Sequence, residues 1–166
     1  VRGMSSWFVW LNRSKQSLTL DLKHAEARPI MDKLLADCDV LLHNLAPGAA
    51  ERLGLGGAAL TARYPRLIVC EISGYGAGGP YQNKKAYDLL IQNETGLVSI
   101  TGTPEAPAKA GISAADIAAG MYAFSGILLA LRKREQTGRG GVLQVSLFDA
   151  LSEWMMPAGY YAAYGG

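Results

Sequence analysis

The chain has 166 residues, 49% of them hydrophobic and 18% charged, enough apolar material for the core of a globular domain. Its formal net charge of +2, with no basic run longer than Arg132-Lys133-Arg134, argues against a nucleic-acid partner. Only Cys38 and Cys70 are present, each in an apolar stretch, which argues against a disulfide framework.

In chain order, Ser17 to Asp21 alternates polar and apolar residues as a short strand does. Ala25 to Asp37 follows with Ile30, Met31, Leu34 and Leu35 at helical spacing, and Pro29 moves the expected helix start to near Arg28. Cys38 to His43 is a compact apolar run, read as a strand that ends at Asn44-Leu45-Ala46-Pro47-Gly48. Two short helical stretches, around Ala49 to Leu53 and Ala58 to Tyr64, lead to Leu67 to Ile72, a buried parallel strand by its continuous apolar and β-branched content.

Tyr87 to Leu97 reads as a helix and Thr101 to Ser113 as a loop. Asp116 to Glu135 is the strongest helix, its apolar face predicted to be Ile117, Met121, Phe124, Leu128 and Leu131. It stops at Thr137-Gly138-Arg139-Gly140-Gly141. Val142 to Leu147 alternates as a further strand, and Phe148 to Met156 opens another helix.

Strands separated by helices indicate an α/β fold, a Rossmann-like parallel sheet with flanking helices. Ligands of such sheets bind beyond the carboxyl ends of the strands, here Asn44-Leu45 and the segment Ser73 to Pro80. No stretch is expected to span a bilayer, no signal peptide is evident, and a cytoplasmic enzyme is the expectation. The chain opens at Val1 without a start methionine and ends in Tyr164-Gly165-Gly166, which points to a piece of a longer protein.

Gly74-Tyr75-Gly76-Ala77-Gly78-Gly79 fits the dinucleotide-binding pattern G-x-G-x-x-G. The residues after it lack helical periodicity, so a plain loop is the better reading and a nicotinamide-dependent oxidoreductase rests on this motif alone. His24 and His43 have no Cys, Asp or Glu at ligand spacing, and no metal site is expected. Asp88 and Asp149 read as caps or structural carboxylates.

Asp116 stands ahead of the long helix after the small-residue run Gly111 to Ala115, which suits an N-cap. The same place suits a nucleophile, because amide donors and the helix dipole hold a carboxylate ionised while small neighbours admit a bulky thioester. Local sequence leaves both roles open.

The ordered motifs Asn12-Arg13-Ser14-Lys15-Gln16-Ser17, Asn44-Leu45-Ala46-Pro47-Gly48, Arg52-Leu53-Gly54-Leu55, Pro65-Arg66-Leu67-Ile68, Ser73-Gly74-Tyr75-Gly76, Tyr87-Asp88, Asp116-Ile117-Ala118-Ala119-Gly120 and Thr137-Gly138-Arg139-Gly140 closely resemble the class III CoA-transferase family. The resemblance runs from about Asn12 to Ala150. It implies that residues 1–166 are a fragment of the large CoA-binding and catalytic domain, with the start of that domain and a small domain lying outside. It implies an interlocked homodimer, coenzyme A or acyl-CoA as the bound substrate, and a small carboxylic acid as acceptor.

By the same resemblance Asp116 is the nucleophile that carries an aspartyl-CoA thioester. Asn44 and Leu45 then follow the pantetheine arm, Lys15 and Arg52 approach the nucleotide and phosphates, and Lys85 and Tyr87 border the active site. A related racemase has histidine where this chain has Tyr87, and tyrosine is a poor general base. A non-catalytic CoA-binding fragment is the remaining alternative.

Overall fold

The computed structural model describes residues 3–165. After two helices, α1 (Ser6–Leu11) and α2 (Ala27–Asp37), come β1 (Val40–His43), the short helices α3 (Ala49–Arg52) and α4 (Gly57–Arg63), and β2 (Ile68–Ser73). The second half holds α5 (Asp88–Glu94), a 3-10 turn at Leu97–Ile100, α6 (Ala114–Thr137), β3 (Gly141–Ser146) and α7 (Leu147–Tyr164).

The three strands form one parallel sheet in the order β1-β2-β3, with His43 opposite Glu71 and Ser73 opposite Ser146. Central β2 opens with Ile68, Val69 and Cys70, none of them exposed, as a strand covered on both faces requires. Val69 and Ile72 are three apart and so point to opposite faces. On the Val69 side lie Leu35, Leu55 and Leu60 from the α2 to α4 region. On the Ile72 side, together with Val145, lie Ala118, Ala119 and Ala150 of α6 and α7. Cys38 and Cys70 are both free thiols, pushed upward in pKa first by burial.

Pro29 falls in the first turn of α2, where its missing N–H costs nothing. Gly138 ends α6 in the left-handed region at φ 73°, donating its N–H to Arg134. Gly140 then passes so close to the chain entering β2 that a Cβ there would lie 2.1 Å from the Leu67 carbonyl oxygen.

Several sequence expectations are corrected. Ser17 to Asp21 is not a strand: among the described residues it has no strand neighbour, and a lone extended segment gains no ladder hydrogen bonds. α1, with its exposed apolar side chains, was not anticipated, and α7 runs beyond Met156 through Pro157. Asp116 is the third residue of α6, not its cap; Ser113 occupies the cap position.

The predicted apolar face of α6 is buried only in part, at Ile117 and Leu131. Met121, Phe124 and Leu128 are more than half exposed, whereas Ala114, Ala115, Ala118, Ala119 and Ala123 are buried. The reason is size: small side chains let the helix lie close to its neighbours, and at Gly126 a Cβ would come within 2.7 Å of the Leu143 side chain. Finally, α6 is long and apolar enough by length and composition to cross a bilayer, contrary to expectation. In this fold one face of it packs against β2, β3, α5 and α7.

Candidate functional site

Because the strands are parallel, their carboxyl ends converge with the chain segments that follow them. A cleft of about 920 Å³ lies there, walled by Leu42 of β1 with Asn44 and Leu45 after it, Ser73 at the end of β2 with Gly74 after it, the 83–88 segment, and Asp116, Ala119 and Gly120 of α6. Of the residues expected at the site, Asn44, Leu45, Lys85, Tyr87 and Asp116 line this cleft. Lys15 and Arg52 do not: Lys15 is exposed beyond α1, and Arg52 is exposed on α3 with its guanidinium beside Gly48.

The turn after β1 is held from below. Leu45 is half-buried against the Leu35–Leu60 cluster, and its N–H points to His43 Nδ1 at 3.5 Å. His43 Nε2 faces Glu71 Oε1 at 4.0 Å, while Glu71 itself accepts the Gly57 N–H at 2.9 Å and the Gln144 amide at 3.1 Å. The histidine that looked isolated in sequence thus gains an acidic neighbour one strand away. Among the described residues no three His, Cys, Asp or Glu side chains converge as metal ligands.

Two lysines reach the cleft and differ in their commitments. Lys84 is paired with Glu94 and lies over the Tyr81 ring at 4.4 Å. Hydrogen bonding between the pair raises the Lys84 pKa and lowers that of Glu94. Lys85 is exposed and makes no ion pair among the described residues.

Asp116 sits at the first turn of α6, a helix end that is reached from α5. Asp88, the first residue of α5, accepts the Ala115 N–H at 2.8 Å with one carboxylate oxygen and the Gln92 amide at 2.6 Å with the other. An orphan amide of α6 is therefore capped by another helix. Asp149, the second expected cap, closes a reciprocal pair at the start of α7: Ser146 Oγ accepts its N–H at 2.9 Å and donates to its carboxylate at 2.6 Å.

No side chain among the described residues hydrogen-bonds the Asp116 carboxyl. Burial of that carboxyl, and then the nearby negative charge of Asp88, raise its pKa from the ordinary aspartate value. Asp116 itself is exposed, open to the cleft, so the raised pKa reflects partial crowding by its surroundings, and an ionised carboxylate without a side-chain partner stays available as a nucleophile. Its flanks toward the cleft are Ala119 and Gly120, which leave room for a bulky group.

The glycine-rich segment is a loop, and the chain that follows it reaches no helix until Asp88. The dinucleotide reading lacks the helix N-terminus that would hold a pyrophosphate. Gly74 is instead needed for packing, since a Cβ there would lie 2.3 Å from that of Ala86, and Gly76 for its φ of 76°. Sequence reasoning missed Gln92, which is completely buried, and the Glu71–His43 pair. A glutamine four residues after Asp88 was the available signal for the first.

A family model described as CoA-transferase family III matches residues 1–166. The chain is 37% identical over 160 residues to acetyl-CoA:oxalate CoA-transferase of Acetobacter aceti, covering 95% of this chain and 41% of that protein. It is 33% identical over 151 residues to succinyl-CoA:glutarate CoA-transferase of Mus musculus, covering 90% and 35%. Among solved structures, a CAIB/BAIF family protein from Brucella suis superposes with a TM-score of 0.86 at 37% identity, covering 92% of this chain and 41% of that one. The chain spans about two fifths or less of the length of these relatives.

Proposed function

Since the chain belongs to CoA-transferase family III, we propose that it forms part of the large domain of an enzyme that moves coenzyme A from an acyl-CoA donor to a small carboxylic acid, with Asp116 as the nucleophile. The observation that carries this reading is the place of Asp116: a carboxylate with no side-chain hydrogen-bond partner among the described residues, open to the cleft beside Ala119 and Gly120 at the carboxyl ends of the strands. Two named relatives, for oxalate and glutarate, support a small acid as the acceptor class.

In the proposed sequence an Asp116 oxygen attacks the thioester carbonyl carbon of the donor. The carbon–sulfur bond breaks, CoA leaves as its thiolate, and a mixed anhydride remains. The thiolate then attacks the aspartyl carbonyl carbon, expels the donor acid as its carboxylate and leaves an aspartyl-CoA thioester. The acceptor carboxylate repeats both steps in reverse, so Asp116 is regenerated as a free carboxylate and no water is consumed. Each intermediate is prone to hydrolysis, so exclusion of water is part of the chemistry.

Residues around Asp116 suit the cofactor end of the same cleft. Asn44 and the Leu45 backbone form a turn along which a pantetheine arm can lie, and the uncommitted Lys85 offers a cation for a phosphate. Tyr87, 70% exposed, borders the cleft mouth. Arg52 and Lys15 stand outside it and belong, on this reading, only to the outer nucleotide end. On this reading the working enzyme is an interlocked homodimer, which rests on the family resemblance alone.

The test is peptide mass spectrometry of the full-length protein after incubation with acetyl-CoA or succinyl-CoA and trapping with hydroxylamine or borohydride. We expect a mass change on the peptide that contains Asp116. An unmodified Asp116 peptide in a protein that demonstrably binds CoA would refute the nucleophile.

A further inference from the structure

Gln92 is a wholly buried polar side chain, and every hydrogen bond it makes leads toward Asp116. Its Nε2 donates to Asp88 Oδ2 at 2.6 Å and to the Ile112 carbonyl at 3.2 Å; its Oε1 accepts the Ala110 N–H at 2.8 Å. Asp88 in turn accepts the Ala115 N–H at 2.8 Å, one residue before Asp116. Ala110 and Ile112 belong to the loop that delivers the chain into α6, and Ile112 also accepts the Ala114 N–H at 2.9 Å.

One side chain therefore ties the start of α5, the incoming loop and the first turn of α6. An apolar side chain of similar length would fill the same space, yet it would leave the Ala110 N–H, the Ile112 carbonyl and one Asp88 oxygen without this partner. Gln92 does not line the cleft. Its role toward a substrate is indirect.

We propose that Gln92 is a positioning residue for CoA transfer, which through Asp88 and the 110–112 loop fixes the first turn of α6 and so presents Asp116 to the thioester carbonyl in one orientation. This rests on Asp116 being the nucleophile. Its physical content is that a displacement of about 1 Å at the attacking oxygen costs on the order of 100-fold in rate, while ligand affinity depends on contacts along the whole cleft.

The experiment uses the full-length protein, with whichever of acetyl-CoA and succinyl-CoA modifies the wild type, and follows the rate of Asp116 labelling alongside the dissociation constant for CoA. Gln92→Glu replaces the donor facing Asp88 with a second acceptor. We expect labelling to slow by roughly 100-fold, with CoA affinity changed less than about threefold. Combining it with Asp88→Asn reverses the polarity of the 2.6 Å contact, because the new amide at position 88 donates to the new carboxylate at position 92 while its oxygen still accepts the Ala115 N–H; the bond to the Ile112 carbonyl stays lost, so the rescue is partial. The double variant should recover about tenfold or more of the lost rate, a coupling that additive damage to the fold cannot give.

Gln92→Met, similar in length but without donor or acceptor, serves if Gln92→Glu yields no folded protein; it should show the same loss of labelling with CoA binding retained. Wild-type labelling rates in folded Gln92→Glu or Gln92→Met, or strictly additive losses in the double variant, would overturn the role of Gln92 alone. An unlabelled wild type would remove the nucleophile itself and this inference with it.

Discussion

Gly74→Ala isolates the contact that sets the width of the cleft. Gly74 lies on the cleft wall directly after β2, and its φ is not in the left-handed region, so an alanine is not excluded by backbone strain. The obstacle is packing: the added Cβ would lie 2.3 Å from the Ala86 Cβ, with the Ala86 Cα at 3.6 Å. Carbon atoms in contact prefer about 3.5–4.0 Å, so the 83–87 segment must retreat by more than about 1 Å. That segment carries Lys85 and Tyr87 into the cleft. Overpacking of this size costs about 1–3 kcal/mol, which thermal unfolding reads as a lowered melting temperature.

The assay pairs thermal unfolding with calorimetric titration of CoA, and Gly79→Ala serves as the control. At Gly79 nothing lies within 4 Å of a Cβ and φ is unexceptional, so the control should match the wild type in both readouts. We expect Gly74→Ala to be destabilised and to bind CoA at least several-fold more weakly. If Gly74→Ala behaves like Gly79→Ala, the contact between the end of β2 and the 83–87 segment does not shape the binding site, and this account of the glycine-rich loop is wrong.

Other expectations are as direct. Asp116→Asn should abolish transfer yet raise stability at neutral pH: the folded-state pKa of Asp116 is raised, so its ionised form opposes folding, and the gain should vanish as pH falls below about 3.8, as urea unfolding across pH will report. Asp32 has the opposite sign. Hydrogen bonds from Arg63, and the charges of Arg28 and Arg63, lower its pKa, so the stabilisation is present above the unfolded value and lost as pH falls through the folded one. Asp32→Asn should therefore destabilise at pH 7 and make little difference in acid, the two unfolding midpoints converging as pH falls below the ordinary aspartate value. Gly140→Ala forces a Cβ to 2.1 Å from a backbone oxygen that cannot swing aside, and should cost about 3 kcal/mol, the upper end for overpacking, by denaturant unfolding.

Periodicity in the sequence determined the order of elements from α2 to α7, because runs such as Leu67 to Ile72 and the spacing within Ala25 to Asp37 are local properties of the chain. Periodicity did not mark the site residues: Asn44, Leu45, Lys85, Tyr87 and the catalytic role proposed for Asp116 came from the ordered motifs that resemble the CoA-transferase family. Ser17 to Asp21 shows the limit: alternation makes a strand possible, but only a neighbouring strand supplies the hydrogen bonds that make one. α6 shows another. Its large apolar residues Met121, Phe124 and Leu128 lie on an exposed face, because periodicity registers hydrophobicity and not the closeness of approach that buries Ala115, Ala118 and Ala119. That Gln92 reaches Ala110 and Ile112, and that Asp88 caps a helix 27 residues away, are long-range matches of donor to acceptor. They exist only once α5 and α6 are packed, which is why the tertiary structure alone decided how Asp116 is held.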